Sequence, residues 1–327
     1  MSTKDTVLEL FEQNRGFFIS GEKIANDLCV SRTAVWKAVK KLQREGYEIE
    51  AVTNRGYCLA KNSDILSARG IARRLTGAGK DIRPEVFVTV DSTNTVCLDM
   101  AAKGESEGYV AVAGAQTKGR GRRGRSFFSP ADTGIYMSIL LRPSSYTGTQ
   151  ALRITSMAAV AVCEAIESLT DCEALIKWVN DIYVDGRKVC GILTEAHPGT
   201  EAGQFDCIVV GIGINAYAPK GGFPDDIKDR AGCVFKSQAS DMRNSLAAGV
   251  LSRFMDYYRL DSQDEYIDRY RSRSLVTGRD VEISGHGSLR MAHVLGIDDE
   301  FGLIVRYQDG REEVLRSGEV SIRGIED

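Results

Sequence analysis

From Gly119 to Arg125 the chain reads Gly119-Arg120-Gly121-Arg122-Arg123-Gly124-Arg125, and such a heptad cannot form a packed core. Its glycines permit positive φ and its four arginines repel one another, so the sequence predicts a segment that stays mobile until an anion arrives. Each guanidinium offers planar paired donors suited to carboxylate or phosphate oxygens, and the glycines let backbone N–H groups approach them too. The implied ligand is small, acidic and phosphate-bearing. An exposed basic loop or an RG-type nucleic-acid tail would read the same way from the heptad alone. Gly119, Gly121 and Gly124 also satisfy G-x-G-x-x-G, but that dinucleotide fingerprint needs a helix to open inside the loop. Ser126-Phe127-Phe128-Ser129-Pro130 instead reads as extended chain ending in a breaker, which rules the fingerprint out.

The 327 residues predict two or three domains, and 43% hydrophobic with 27% charged content is that of an ordinary soluble protein. No apolar run approaches the roughly 18 residues that span a bilayer, and the N-terminus, with Lys4, Asp5, Glu9 and Glu12, has no apolar signal region. A cytoplasmic protein is expected, with no membrane partner. The eight cysteines are scattered without a C-x-x-C pair, and His197, His286 and His293 have no ligand spacing, so structural zinc and a catalytic thiol are disfavoured. A net charge of −3 confines any nucleic-acid contact to a local patch.

That patch lies near the N-terminus. Val7, Leu8 and Phe11 have helical spacing over residues 3–15. Ser20 caps a second helix carrying Ile24 and Leu28, Cys29-Val30 make a turn, and Ser31 caps a third helix that Gly46 stops. In this third helix Val35, Val39 and Leu42 form the buried stripe, with Arg32, Thr33, Trp36, Lys37 and Lys40 opposite. Between Arg32 and Arg44 there are five basic residues and no acidic one. A hairpin follows from Tyr47 to Leu59, with Arg55 near its tip. Helix, tight turn, basic helix and wing in that order predict a winged helix-turn-helix reading DNA through Arg32, Thr33, Trp36, Lys37, Lys40 and Arg55. The competing reading is a three-helix packing unit with a merely solvated positive face. Lys61-Asn62-Ser63-Asp64 reads as the linker out of this domain.

Beyond it, Ile71, Ala72 and Leu75 suggest a short helix, and Val86–Val90 a strand feeding Asp91-Ser92-Thr93-Asn94 at a helix start. That junction gathers unpaired N–H groups and hydroxyls, although plain N-capping by Ser92 would look the same. Val110–Ala113 reads as a strand ending in Gln116 just before the arginine loop, Ile135–Leu141 as another, and residues 149–167 as a long core helix. Lys177–Val184 turns at Asp185-Gly186 into Arg187–Leu193, a strong hairpin signal. Cys207–Val210 is a strand leading into Gly211-Ile212-Gly213-Ile214-Asn215. The expected fold class is α+β and multidomain: a winged helix-turn-helix over 1–62, a central mixed-sheet domain over 67–272, and short strands over 273–327 forming a small SH3-like barrel.

Taken in order, Asp91-Ser92-Thr93-Asn94, Gln116, the Gly119–Arg125 heptad, Lys177-Trp178-Val179-Asn180-Asp181, Arg187-Lys188-Val189-Cys190-Gly191-Ile192-Leu193 and Gly211-Ile212-Gly213-Ile214-Asn215 resemble the biotin–protein ligases. The resemblance implies a central domain of the biotin/lipoate ligase type. With the winged helix, the chain is similar to the bifunctional bacterial class that also represses the biotin biosynthetic operon. The resemblance implies formation of biotinyl-5′-AMP from biotin and ATP with Mg²⁺, then transfer to a lysine of the biotin carboxyl carrier domain of acetyl-CoA carboxylase. It also implies a ligand-promoted homodimer on operator DNA, with biotinyl-5′-AMP as corepressor.

Carried over by motif, Ser92, Thr93, Asn94, Gln116, Gly119, Arg120, Gly121, Arg122 and Lys188 hold biotin. Arg122, Phe127, Asn180 and Asn215 border the nucleotide, with the loop Tyr217–Pro224 beside it. Arg120, Arg122, Lys188 and Asp181 serve the chemistry, Asp181 near the metal and the incoming amine. The family usually has tryptophan where Phe127 stands and proline where Val179 stands. The alternatives are a ligand-sensing repressor without turnover and a lipoate-attaching ligase.

Overall fold

The computed structural model describes residues 2–143, 151–198, 205–260, 264–285 and 288–322. Two compact units emerge, one of residues up to Ile65 with Gln238–Met242, the other of Leu66–Ser237 with Arg243 onward.

The first unit contains helices α1 (Thr3–Gln13), α2 (Gly21–Asp27) and α3 (Arg32–Arg44) and the hairpin β1 (Ile49–Val52) and β2 (Gly56–Leu59). Its caps are local. The Ser20 hydroxyl accepts from Lys23 N at 3.1 Å and the Ser31 hydroxyl from Ala34 N at 3.1 Å. Gly46 ends α3 with φ of +94°, where a side chain would be strained. Val35, Ala38, Val39 and Leu42 turn inward against Val7, Leu8, Phe11 and Ile24, each large apolar side chain adding about 1.5–3 kcal/mol by leaving water. Of the expected linker Lys61–Asp64, Lys61 and Asn62 are exposed. Ser63 and Asp64 are buried, and Arg15 Nη1 donates to the Ser63 carbonyl at 2.7 Å.

The second unit begins with α4 (Ala68–Ala72) and is built on a seven-stranded mixed sheet. The strands are β3 (Arg83–Phe87), β4 (Tyr109–Ala113), β5 (Gly134–Leu141), β6 (Leu175–Lys177), β7 (Asp181–Val184), β8 (Arg187–Pro198) and β9 (Phe205–Asn215). They lie in the order β3-β4-β5-β9-β8-β7-β6. β3 and β4 run parallel because α5 (Thr93–Ala102) is their crossover, and the remaining pairs are antiparallel hairpins or returns. β5 is buried along its whole length. Helix α6 (Ala151–Glu167) is buried at nearly every position from Ile154 to Ile166; residues 149–150 of the expected helix, like His286, lie outside the described residues. Helices α7 (Met242–Arg259) and α8 (Asp264–Ser272) follow. Five antiparallel strands then make a barrel-like module: β10 (Asp280–Gly285), β11 (Ser288–Ile297), β12 (Leu303–Tyr307), β13 (Glu312–Leu315) and β14 (Glu319–Ile322), ordered β13-β12-β11-β10-β14.

Three local expectations are corrected. The strand expected over Val86–Val90 is Arg83–Phe87, because pairing with Tyr109–Ala113 sets its register and leaves Val88 exposed. Lys177–Val184 is not one strand; Trp178-Val179-Asn180 turn between β6 and β7, which pair with each other. Gly211–Asn215 does not leave the sheet but continues β9 to its end, opposite β5 and β8.

Candidate active site and nucleic-acid interface

A cleft of about 360 Å³ opens on the second unit over the glycine-bearing end of β9. Ser92, Thr93 and Asn94 enter from the start of α5. Ser92 occupies the N-cap position without capping through its side chain, and all three are buried, so simple helix capping does not explain them. A row of polar contacts links them. Gln116 Oε1 accepts from Thr93 N at 2.8 Å, and Gln116 Nε2 donates to Ser129 Oγ at 3.0 Å. Ser138 Oγ lies 2.7 Å from Thr93 Oγ1 and 2.6 Å from Asn94 Oδ1. Gly211 is required beside Asn94, since a Cβ there would run into the amide.

The arginine heptad differs from expectation: it forms a closed turn with its own acceptors. Gly121 N donates to Arg125 O at 2.7 Å, Phe127 N donates to Gly119 O at 2.9 Å, and Arg123 and Gly124 take the left-handed φ that closes the turn. Charge repulsion does not hold it open because its guanidinium groups find partners. Arg120 Nη2 reaches Glu195 Oε2 at 2.9 Å; Arg122 Nη1 donates to Asn180 Oδ1 at 2.8 Å and Nη2 to the Gly318 carbonyl at 3.1 Å. Arg120, Gly121 and Arg122 line the cleft. Gly119 does not. It is packed beneath, where a Cβ would lie 2.6 Å from Ser129 Oγ, so its lack of a side chain shapes the turn.

At the far wall Lys188 Nζ and Asp181 Oδ2 are 2.6 Å apart, and Asn180 Nδ2 donates to Asp181 Oδ1 at 3.1 Å. Both Asp181 oxygens are therefore engaged, and among the described residues no group of three metal-ligating side chains converges. A metal held by the protein alone does not fit this donor set. The Phe127 ring lies over Gly213 and Gly191, where Cβ atoms would stand 2.6 and 3.2 Å from it. Asn215 Nδ2 donates to Gly232 O at 3.0 Å, and Lys188 exchanges backbone hydrogen bonds with Arg230 and Gly232. These bonds draw the segment around residues 227–232 over the cleft; of the expected loop Tyr217–Pro224, only Phe223 reaches it. Burial pushes the Tyr183 phenol upward, Asp181 adding to this and Arg230 opposing it, so it stays a neutral donor.

The electrostatics are one-sided. Among the described residues, Arg120, Arg122, Arg123, Arg125, Lys177, Lys188 and Arg230 line the cleft against the single carboxylate of Asp181. In a partly dry concavity such cations attract and hold anions far better than in water. Sequence reasoning missed Arg230, Tyr183 and the wall given by Ser284, Gly318 and Ser321 of the C-terminal module. Nothing in their local sequence marks them.

In the first unit Arg32, Thr33, Trp36, Lys37 and Lys40 are all exposed on α3, Trp36 by 50%. Arg55, exposed at the tip of the wing, stacks over the Phe18 ring at 4.2 Å.

Residues 86–215 match the biotin/lipoate A/B protein ligase family, and residues 3–58 match an HTH domain. The bifunctional ligase/repressor BirA of Bacillus spizizenii is 34% identical over 318 residues, covering 94% of this chain and 95% of that protein. The chain belongs to the bifunctional ligase/repressor family. Escherichia coli BirA is 29% identical over 315 residues, 95% of each chain. Among solved structures, the biotin protein ligase from Aquifex aeolicus in complex with biotin and ATP has 29% identity and a TM-score of 0.61 over 73% of this chain and 98% of that one. As a member of this ligase family, the chain joins an N-terminal helix-turn-helix to a biotin ligase fold whose mixed sheet carries the cleft. No helix among the described residues is long and apolar enough to cross a membrane.

Proposed function

We propose that the cleft makes biotinyl-5′-AMP from biotin and ATP and then passes the biotinyl group to a lysine of a biotin carboxyl carrier domain, that of acetyl-CoA carboxylase. The observation that carries this reading is the layout of one cleft. A polar row of Thr93, Asn94 and Gln116 at one end suits an uncharged, hydrogen-bonding head, and Arg120, Arg122 and Lys188 gather where a carboxylate and a phosphoryl group would meet. A carboxylate oxygen attacks the α-phosphorus of ATP, the bond to the bridging oxygen breaks, and pyrophosphate leaves. The carrier amine then attacks the acyl carbon, AMP departs, and the amine proton goes to a base. Both steps crowd negative charge onto oxygens, so fixed cations and N–H donors are the main device, each charged hydrogen bond contributing about 1.5–3 kcal/mol.

In this scheme Ser92, Thr93, Asn94 and Gln116 hold the head and chain of biotin, with Gly121 letting the backbone close in. Arg120, Arg122 and Lys188 neutralise the reacting oxygens. Phe127, Asn180 and Asn215 border the nucleotide, and Asp181 keeps Lys188 in place and receives the amine proton. Mg²⁺ bound to the ATP phosphates would share their charge, with no residue of this chain required to hold it. In the first unit, Arg32, Thr33, Trp36, Lys37, Lys40 and Arg55 contact operator DNA, phosphates through the cations and base edges through the first turns of α3. Binding of biotinyl-5′-AMP favours a homodimer, which offers two winged helices to two operator half-sites; by reciprocity the operator tightens the adenylate. All of this takes place in the cytoplasm.

Biotin-dependent exchange of pyrophosphate into ATP tests the chemistry. Exchange with biotin is expected. Its absence alongside biotin-sensitive operator binding would favour a sensor without turnover, and exchange with lipoate instead would change the acid. Gel shifts with and without biotin plus ATP test the coupling, and equal operator affinity in both would remove it.

A further inference from the structure

Glu195 of β8 stands just behind the cleft and brings a carboxylate to a site built for anions. Its Oε2 accepts from two donors, Asn94 Nδ2 at 2.7 Å and Arg120 Nη2 at 2.9 Å. The two donors differ in character. Asn94 is 4% exposed, at the start of α5, whereas Arg120 belongs to the heptad and its side chain is 39% exposed. The Asn94 amide is held from both sides. Its oxygen faces the Ser138 hydroxyl, and its nitrogen must face Glu195, because a carboxylate only accepts. Arg120 is thereby drawn to β8, while Arg122 is anchored to Asn180 and to the Gly318 carbonyl. The two arginines are thus held by separate tethers.

A negative charge beside a carboxylate- and phosphate-binding site works against ligand affinity by direct repulsion. Its presence there is explained if it is worth more as a restraint. We infer that Glu195 is a positioning residue for adenylation: one oxygen fixes the Asn94 amide for the biotin head and holds the Arg120 guanidinium at the junction of head pocket and arginine turn. This rests on the ligase reading above. It further implies that the two duties separate chemically. Asn94 needs only an acceptor, whereas Arg120 needs a charge to oppose its pull into water.

The test compares Glu195→Gln and Glu195→Ala with the wild type in biotin-dependent pyrophosphate exchange and in the dissociation rate of preformed biotinyl-5′-AMP. With Glu195→Ala the KM for biotin should rise about tenfold or more, and adenylate release should quicken by a similar factor, as expected for losing hydrogen bonds to a charged group. Glu195→Gln keeps an acceptor for Asn94, so its KM for biotin should stay within about threefold of wild type while adenylate release still quickens about tenfold. That split is one that a merely structural role would not give. Wild-type values in both variants overturn the inference, as does a Gln variant that loses both properties together. If Glu195→Ala does not fold, by loss of the buried Trp178 emission, the Gln variant alone decides by the same split. Wild-type protein that shows no biotin-dependent exchange would instead overturn the ligase reading.

Discussion

The chain has two tryptophans, and they stand in opposite circumstances. Trp36 projects from α3 of the winged-helix unit, 50% exposed, on a face whose neighbours in space are its neighbours in sequence. Trp178 sits beneath the cleft of the second unit, 3% exposed, its Nε1 donating to the Phe301 carbonyl at 2.9 Å from far along the chain. The first region displays its chemistry on one helix and one wing. The second assembles a cleft from the start of α5, the heptad, β7 to β9, residues 223–231 and the C-terminal module. A surface made from one helix loses function one side chain at a time. A cleft tied by shared partners, such as Asn180, which accepts from Arg122 and donates to Ile192 O, and Glu195, which accepts from Asn94 and Arg120, loses several contacts with one change.

The largest effect that would expose this difference is Lys188→Ala. Removing a cation aimed at developing charge should lower biotinyl-5′-AMP formation about 10²–10³-fold, read by pyrophosphate exchange, while operator affinity measured without ligand stays at the wild-type value. Equal loss of both would mean that the two regions do not work separately. A smaller effect is expected from Lys37→Ala on α3. Operator binding should weaken several-fold at constant salt, and the slope of log K against log salt should fall by about one, if Lys37 neutralises one phosphate. A change of base preference without a change of slope would assign Lys37 to the base edges instead.

The same contrast explains what could be read in advance. Ser20, Ser31 and Gly46 are local punctuation, and the buried stripe of α3 has helical period, so the winged helix was legible nearly residue by residue. The cleft was legible where a motif concentrates its residues, as in Thr93-Asn94, the arginine heptad and Asn180-Asp181. It was not legible where tertiary register decides. The hydroxyl of Ser92 looks like a cap and is not used as one, Gly119 is packed under the turn rather than lining the cleft, and the Arg122 partner Gly318 lies in another module. No local pattern distinguishes Glu195 from any other strand glutamate.

Alkaline unfolding offers the finest probe of the comparison. Burial pushes the Cys97 thiol up to about 12, and Cys163 and Cys190 are pushed up strongly for the same reason, all in the second unit. Each is a thiol that the fold keeps protonated. The unfolded chain ionises near the ordinary value of 9.0, so the stability these groups contribute is whole below that pH and is lost as pH climbs toward 12. Within that window each fully shifted thiol removes about 1 kcal/mol per pH unit. In the first unit the Cys58 thiol is also raised, by burial and by Glu50. A Trp36→Phe variant therefore reports the second unit through Trp178, and a Trp178→Phe variant reports the first through Trp36. Between pH 8 and 10 the Trp178 transition should move to lower temperature by several degrees, and the Trp36 transition should move less. Coincident transitions with equal shifts would show that the two units melt as one, with no difference in alkaline stability between them.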